Sequence, residues 1–222
     1  MKNVVEMSFK VLNGGICDRH NFEYSLFSAI SKILGKNSCA NLHDKEFKYL
    51  QILPINGTKH KNMIMFQKSS FLKIRPSLEH LSNFLCLSKK VIRVKNNLIS
   101  LSDPKIYQLQ YSPNLYCHCV IVNSIKESKD MIDFITSTFK EKMNFESKFK
   151  IFIPYHKNKI SNRILRFKNN SLIGFPIVVK DLNEEDSLYL QSNGFGSKKK
   201  FGCGYFNFYH EKENDKMYDG SI

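Results

Sequence analysis

The sequence lacks several features that would narrow its class at once. No apolar run approaches the ~18 residues that a bilayer-spanning helix needs. The opening Met1-Lys2-Asn3-Val4-Val5-Glu6 has no apolar stretch of the kind a secretory signal carries. The expectation is therefore a soluble, cytoplasmic protein without a membrane partner. Cysteine is sparse and badly spaced for metal or disulfide chemistry: Cys17, Cys39, Cys86, Cys117, Cys119 and Cys203 include no CxxC pair. Cys17, His20, Cys117 and Cys119 form the one imaginable zinc set, and buried free thiols explain these residues better. No metal or cofactor is expected. Acidic residues are also short.

That last shortage is the first positive clue. Lys+Arg number 34 against 20 Asp+Glu, a formal net charge of +14. An excess of this size implies a polyanionic partner, and with no strongly basic amphipathic helix to lie on a membrane, nucleic acid fits best. A merely solvated, lysine-rich surface is the competing explanation. The composition is 42% hydrophobic and 13% aromatic, enough to bury a core in one large domain or two of about a hundred residues.

Periodicity suggests two. Val4 to Leu12 reads as a strand, and from His20 to Leu34 apolar Phe22, Leu26, Ile30, Ile33 and Leu34 recur at helical spacing. "YLQILPI" and "MIMFQ" read as strands joined at Asn56-Gly57. "SFLKIRP" reads as a strand, "SLEHLSNFL" as a helix after Pro76, and the chain returns to strand up to Tyr111. After Ser112-Pro113 the order repeats. "NLYCHCVIV" resembles a central strand with apolar residues on both faces. Ser128 to Phe145 is a helix, "RILRFKNNSLIGFPIVV" a hairpin turning at Asn169-Asn170, and Leu182 to Gln191 a helix capped by Asn183. "YFNFY" closes as a strand before a polar tail. Two β-α-β-β-α-β units in succession imply an α+β protein of two tandem ferredoxin-like (RRM-like) domains, over residues 1–111 and 112–210, with a tail at 211–222.

The last connection carries the most unusual composition: "LQSNGFGSKKKFGCGYF", residues 190–206, sets Gly194, Gly196, Gly202 and Gly204 around Lys198, Lys199 and Lys200. It fails the dinucleotide fingerprint, because Lys199 stands where a third glycine belongs and a helix precedes it. It fails the P-loop because Cys203, not Lys-Ser/Thr, follows Gly202. What remains is a loop whose glycines expose backbone N–H groups and whose lysines add charge, a combination that cradles phosphates. A glycine-permitted turn with solvated lysines is the alternative.

The stretch "IVVKDLNEEDSLYLQSNGFGSKKKFGCGYF" resembles the C-terminal signature of the CRISPR-associated endoribonucleases of the RAMP superfamily, which cut precursor CRISPR RNA within its repeats. Gly194-Phe195-Gly196, the lysines, then Phe201-Gly202-Cys203-Gly204 match the hallmark in order and type. "RILRFKNNSLIGFPIVV" resembles the family's basic hairpin and "HNFEYSLFSAISKIL" its first helix. The resemblance implies tandem ferredoxin-like domains and CRISPR repeat RNA as partner, with effector-complex subunits as further partners. It also implies cleavage without metal by the RNA's own 2′-hydroxyl, leaving a 2′,3′-cyclic phosphate.

Such a reaction needs proton transfer, which histidine supplies near neutrality. The family places a histidine in or just before the first helix. His20, beside Arg19 and one turn from Tyr24, is the candidate here, with Tyr24 as its companion. His43 and His118 are the runners-up, His118 reading as a core histidine. Candidate RNA contacts are Arg163, Arg166 and Lys168 on the hairpin and Gly194, Gly196, Ser197, Lys198, Lys199, Lys200, Gly202 and Gly204 in the loop. Two other functions stay open: a catalytically silent subunit that holds CRISPR RNA in an effector complex, and a general tandem RRM-like RNA-binding protein.

Overall fold

A computed structural model of the chain describes residues 3–18, 21–36, 41–156, 159–167, 170–210 and 217–220. The chain divides into two compact units. One comprises Met1–Leu109 with Arg166–Lys168 and Lys200–Gly202; the other comprises Gln110–Leu165, Asn169–Lys199 and Cys203–Ile222.

In the first unit, β1 (Val5–Val11) alternates as the period of a strand requires, Val5, Met7, Phe9 and Val11 facing the core. It is followed by β2 (Gly15–Asp18), α1 (Phe22–Lys36), β3 (Gln51–Leu53), β4 (Thr58–His60), β5 (Met63–Phe66) and β6 (Phe71–Arg75). After these come α2 (Leu81–Leu85), β7 (Val91–Val94) and β8 (Asn97–Gln108). A five-stranded sheet runs β3-β6-β1-β8-β7, and a small sheet runs β2-β5-β4. α1 buries Phe22, Leu26, Phe27, Ile30 and Leu34, one stripe at helical spacing, in the core shared with Met7, Phe9, Leu72 and Ile99. On the sheet's other face Glu6 is buried but satisfied, Arg75 donating to it at 2.9 Å and Lys73 lying 2.7 Å away.

The hairpin expected at Asn56-Gly57 does not form. β3 pairs with β6 (Ile52↔Ile74), while β5 pairs with β4 and β2. Burying Ile52 against the main core outweighs a local turn preference, so residues between β3 and β6 fold as a separate hairpin. Asn56 instead ties this segment to β6, its side-chain oxygen accepting the Phe71 amide at 2.6 Å. The helix expected after Pro76 shrinks to a 3₁₀ turn at Leu78–His80 followed by the five residues of α2.

The second unit holds β9 (Leu115–Val120), α3 (Ser128–Ser137), β10 (Lys150–His156), β11 (Lys159–Ile160), β12 (Arg163–Phe167) and β13 (Asn170–Lys180). It continues with α4 (Glu184–Asn193), β14 (Phe206–Phe208) and β15 (Met217–Tyr218). Its sheet runs β11-β10-β13-β9-β14, with β12 on β13 and β15 on β10. The core gathers Leu115, Cys117, Ile135, Phe139, Ile153, Ile177, Val179 and Phe206. Asn183 caps α4 as its sequence suggests, accepting the Asp186 amide at 2.8 Å.

Three expectations are corrected here. α3 ends at Ser137 and continues as a π turn, Thr138–Lys142, rather than running as a regular helix to Phe145. "KIFIPYH" is a core strand, β10, that pairs with β13 (Phe152↔Val178), so β12 is an added strand rather than a member of the basic pattern. The segment after Glu211 is not wholly a frayed tail, because β15 pairs with β10 and buries Tyr218. In the last two cases a pairing remote in sequence decided the outcome. Among the described residues no helix is long and apolar enough to cross a membrane.

Candidate nucleic-acid interface

The glycine-rich loop has two aromatic anchors, and each sits in a different unit. In the second unit, Phe195 is buried, its ring edge-on to Phe139 at 5.2 Å and 6.3 Å from Phe134. The glycines beside it are held by shape. Gly196, at φ +82°, leaves room for the Ile121 carbonyl, which a Cβ would approach to 2.7 Å. Gly204, at φ +66°, faces the Phe195 carbonyl, 2.0 Å from where a Cβ would stand.

The loop's amides answer the cradle expectation. Gly194 donates to Leu190, Phe195 to Gly204, Ser197 to Ile121, Cys203 to Lys198 and Gly204 to Cys119, at 2.7 to 3.4 Å. These N–H groups are spent inside the protein, so the loop is in large part a folded staple. Lys199 is tied as well, its ammonium donating to the Asn193 carbonyl at 2.7 Å, where it caps the last turn of α4.

In the first unit, Phe201 packs on α1. Its ring stacks on Tyr24 at 6.1 Å and 10°, and lies 4.8 Å from Phe27. Gly202 at φ +80° passes Pro54, whose ring carbon a Cβ would meet at 2.3 Å. The Lys200 ammonium donates to the Leu42 carbonyl; burial lowers its pKa, opposed by the nearby Asp44 carboxylate. His43 stands against the same helix, its ring edge-on to Phe27 at 5.7 Å. A polar turn holds it there: Asn41 accepts the His43 amide at 3.2 Å and donates to Asp44 at 2.8 Å. Tyr24, Phe27, His43, Lys200 and Phe201 therefore converge beside α1.

His20 and Lys168 lie outside the described residues, as does the side chain of Arg166. Arg163 is half-buried and reaches the Tyr116 phenol, while its buried Nε has no hydrogen-bond partner among the described residues. It is no solvated strand edge. Burial pushes the Tyr116 phenol up, against the pull of the Arg163 guanidinium. His118 is not a core residue: it is half-buried on the opposite side of β9 from Cys117 and Cys119, its Nδ1 3.5 Å from the Tyr116 hydroxyl. Cys117 is buried, and burial raises its thiol far above the ordinary range. Among the described residues no three His, Cys, Asp or Glu side chains gather as a metal-ion cluster.

Comparison with known proteins gives this arrangement a family. The profile of the family described as "Cas6 Crispr" matches residues 5–211. The chain is a member of the Cas6 family. A curated relative, the CRISPR-associated endonuclease Cas6 of Myxococcus xanthus (strain DK1622), is 23% identical over 204 residues, 91% of this chain and 80% of the relative. Among solved structures, one titled for a Cas6-related gene from Pyrococcus furiosus superposes with TM-score 0.65 at 16% identity, covering 96% of this Cas6 chain and all of that one. A RAMP protein described as binding different RNA substrates gives 0.61 at 13% identity, covering 93% and 99%. These likenesses are of fold.

The Cas6 chain also shows what sequence reasoning undervalued. "NLHDKEF" contained a signal, since Asn and Asp three apart around a histidine form a side-chain-stabilised turn. The aromatic residues between the glycines were a second signal, one anchor on each side of the lysines.

Proposed function

We propose that this chain is an endoribonuclease that cuts CRISPR repeat RNA to mature CRISPR RNA without metal, by attack of the RNA's 2′-hydroxyl on the adjacent phosphate. The observation that carries this reading is the Cas6 family match over residues 5–211, supported by the convergence of a histidine, a tyrosine and a lysine beside α1 in the first unit. The reaction needs one proton taken from the 2′-hydroxyl, another given to the 5′-oxygen that leaves, and charge stabilised on the phosphate. Neutral imidazole does the first and imidazolium the second, while Lys200 or a neighbouring lysine supplies positive charge.

Two histidines compete for the proton transfer. His20 has its place at the start of α1 in the sequence. His43 has a geometry: it is the described histidine that packs on α1 near Phe201. We assign the role to His43, with His20 as the alternative, and Tyr24 as a positioning group. The architecture we propose is two ferredoxin-like domains in tandem. In support, β3-β6-β1-β8 and β10-β13-β9-β14 both place the second, third, first and fourth strands of a βαββαβ unit in that order.

The test is to incubate the protein with its own repeat RNA in chelator. Cleavage to a product ending in a 2′,3′-cyclic phosphate is expected. Binding without cleavage would replace the enzyme with a silent CRISPR RNA-holding subunit.

The lysines of the loop should not contribute equally to that binding. Lys198 is exposed, whereas Lys199 and Lys200 are half-buried and tied to carbonyls. Lys198→Ala should flatten the plot of log affinity against log salt by about 0.7, the share of one single-strand phosphate contact. Lys199→Ala should alter the melting temperature more than the slope. Equal slope changes in both variants would show that the tethers do not persist in solution.

A further inference from the structure

Asp44 stands at the start of a 3₁₀ turn, Lys45–Phe47, where an aspartate side chain ordinarily accepts from the first amides. Its side chain makes no such bond here. The carboxylate instead accepts from the Asn41 side-chain amide at 2.8 Å, and the Asn41 side-chain oxygen accepts the His43 amide at 3.2 Å. The backbone closes the same turn, the Asp44 amide donating to the Asn41 carbonyl at 3.0 Å. The Lys200 ammonium donates to the Leu42 carbonyl, in the middle of this turn. Residues 41–44 thus carry an imidazole and a carboxylate and tether an ammonium, beside α1 in the first unit.

A carboxylate in this place works against binding. The chain carries a formal net charge of +14, and an exposed aspartate beside the proposed cleavage site repels the phosphates that the other charges attract. What it gives in return is local. Lys200 is half-buried, and burial drives an ammonium toward its neutral form, which the nearby Asp44 carboxylate opposes. The other ionisable groups on the elements packed there are His43, Lys45 and Glu46 along the turn, and Glu23 and Tyr24 on α1. We propose that Asp44 is a positioning residue for strand cleavage, its charge holding the Lys200 ammonium on the Leu42 carbonyl, next to the residue that carries the imidazole. The inference rests on the nuclease reading and deepens it. It names the group that keeps the phosphate-stabilising cation charged and in register with His43.

The test is Asp44→Asn, which keeps the shape and the bond from Asn41 and removes the charge. Repeat RNA should bind this variant as tightly as the wild type, or up to about fivefold more tightly. Single-turnover cleavage should nevertheless slow by about tenfold at neutral pH. The deficit should widen as pH rises, because an ammonium without its carboxylate loses its proton at lower pH. Asp44→Glu, which keeps the charge, should recover most of the rate. In a Lys200→Ala background Asp44→Asn should slow cleavage no further, whereas a merely structural aspartate would slow both backgrounds alike. An Asp44→Asn variant that cuts like the wild type at every pH, or that slows Lys200→Ala just as much, would overturn the inference. Wild-type cleavage is scored separately, and its absence removes the nuclease reading. The Lys200 signal, followed by NMR on protein labelled at the lysine ε-carbon, then decides the link by itself. Asp44→Asn should move its titration to lower pH, and an unmoved titration would show that Asp44 does not act on Lys200.

Discussion

In a single-turnover assay on repeat RNA, His43→Ala should cut roughly 10²–10⁴-fold more slowly than the wild type while binding the RNA within a few-fold of it. The asymmetry follows from the two kinds of contact. Affinity is shared among many phosphate contacts, whereas proton transfer depends on one imidazole held beside α1 by the Asn41–Asp44 turn. His20→Ala should stay within about tenfold of the wild-type rate, below the range for a lost general acid or base. A 2′-deoxy substitution at the cut site should abolish cleavage by the wild type, because the nucleophile is gone. If His20→Ala is the slow variant and His43→Ala cuts normally, the proton-transfer role passes to His20. If the deoxy substrate is cut, the mechanism itself is wrong.

Gly204→Ala should be the most damaging of the loop's glycine substitutions, lowering stability by about 3 kcal/mol or more. The added Cβ would stand 2.0 Å from the Phe195 carbonyl oxygen, a backbone atom that cannot swing aside, at a φ of +66°. The same residue donates to the Cys119 carbonyl at 2.7 Å and accepts from the Phe195 amide at 3.1 Å. Relieving the clash therefore means breaking both bonds and withdrawing Phe195 from the second unit's core. Gly35→Ala serves as the contrast. It lies in α1 with nothing within 4 Å of the new Cβ, so it should stabilise by up to about 1 kcal/mol, the helix propensity gain. Urea denaturation of both variants checks the pair. Equal midpoints would show that the loop relaxes without cost.

The loop shows how far local pattern reaches. Its glycine spacing marked a backbone of special shape, and positive φ at Gly194, Gly196, Gly202 and Gly204 bears that out. The expectation of exposed glycine amides fails at Gly194 and Gly204, whose N–H groups donate to Leu190 and Cys119, and the Ser197 amide between them donates to Ile121. Ile121 and Cys119 lie 76 and 85 residues before the amides they accept from, where no local pattern can announce them. His118 departs from its reading as a core histidine for a related reason. "LYCHCVIV" reads as apolar on both faces, and only the sheet order separates the buried thiols from the ring and imidazole on the other side.

What the sequence determined by itself were the features set by period and by single-residue stereochemistry. The alternation of β1, the stripe of α1, the Asn183 cap and the glycine positions all depend on neighbours within about four residues. Tertiary structure alone decided which strands pair and which donors are already occupied. β3 left its neighbour in sequence for β6, "KIFIPYH" became the strand beside β13, and the end of the chain returned as β15. It also decided that Lys199 and Lys200 are tied to carbonyls while Lys198 is exposed, and that His43 stands on Phe27. The physical reason is common to all of these. Strand pairing and amide satisfaction draw on partners remote in sequence, and burying the shared core selects among pairings that local propensity leaves nearly equal.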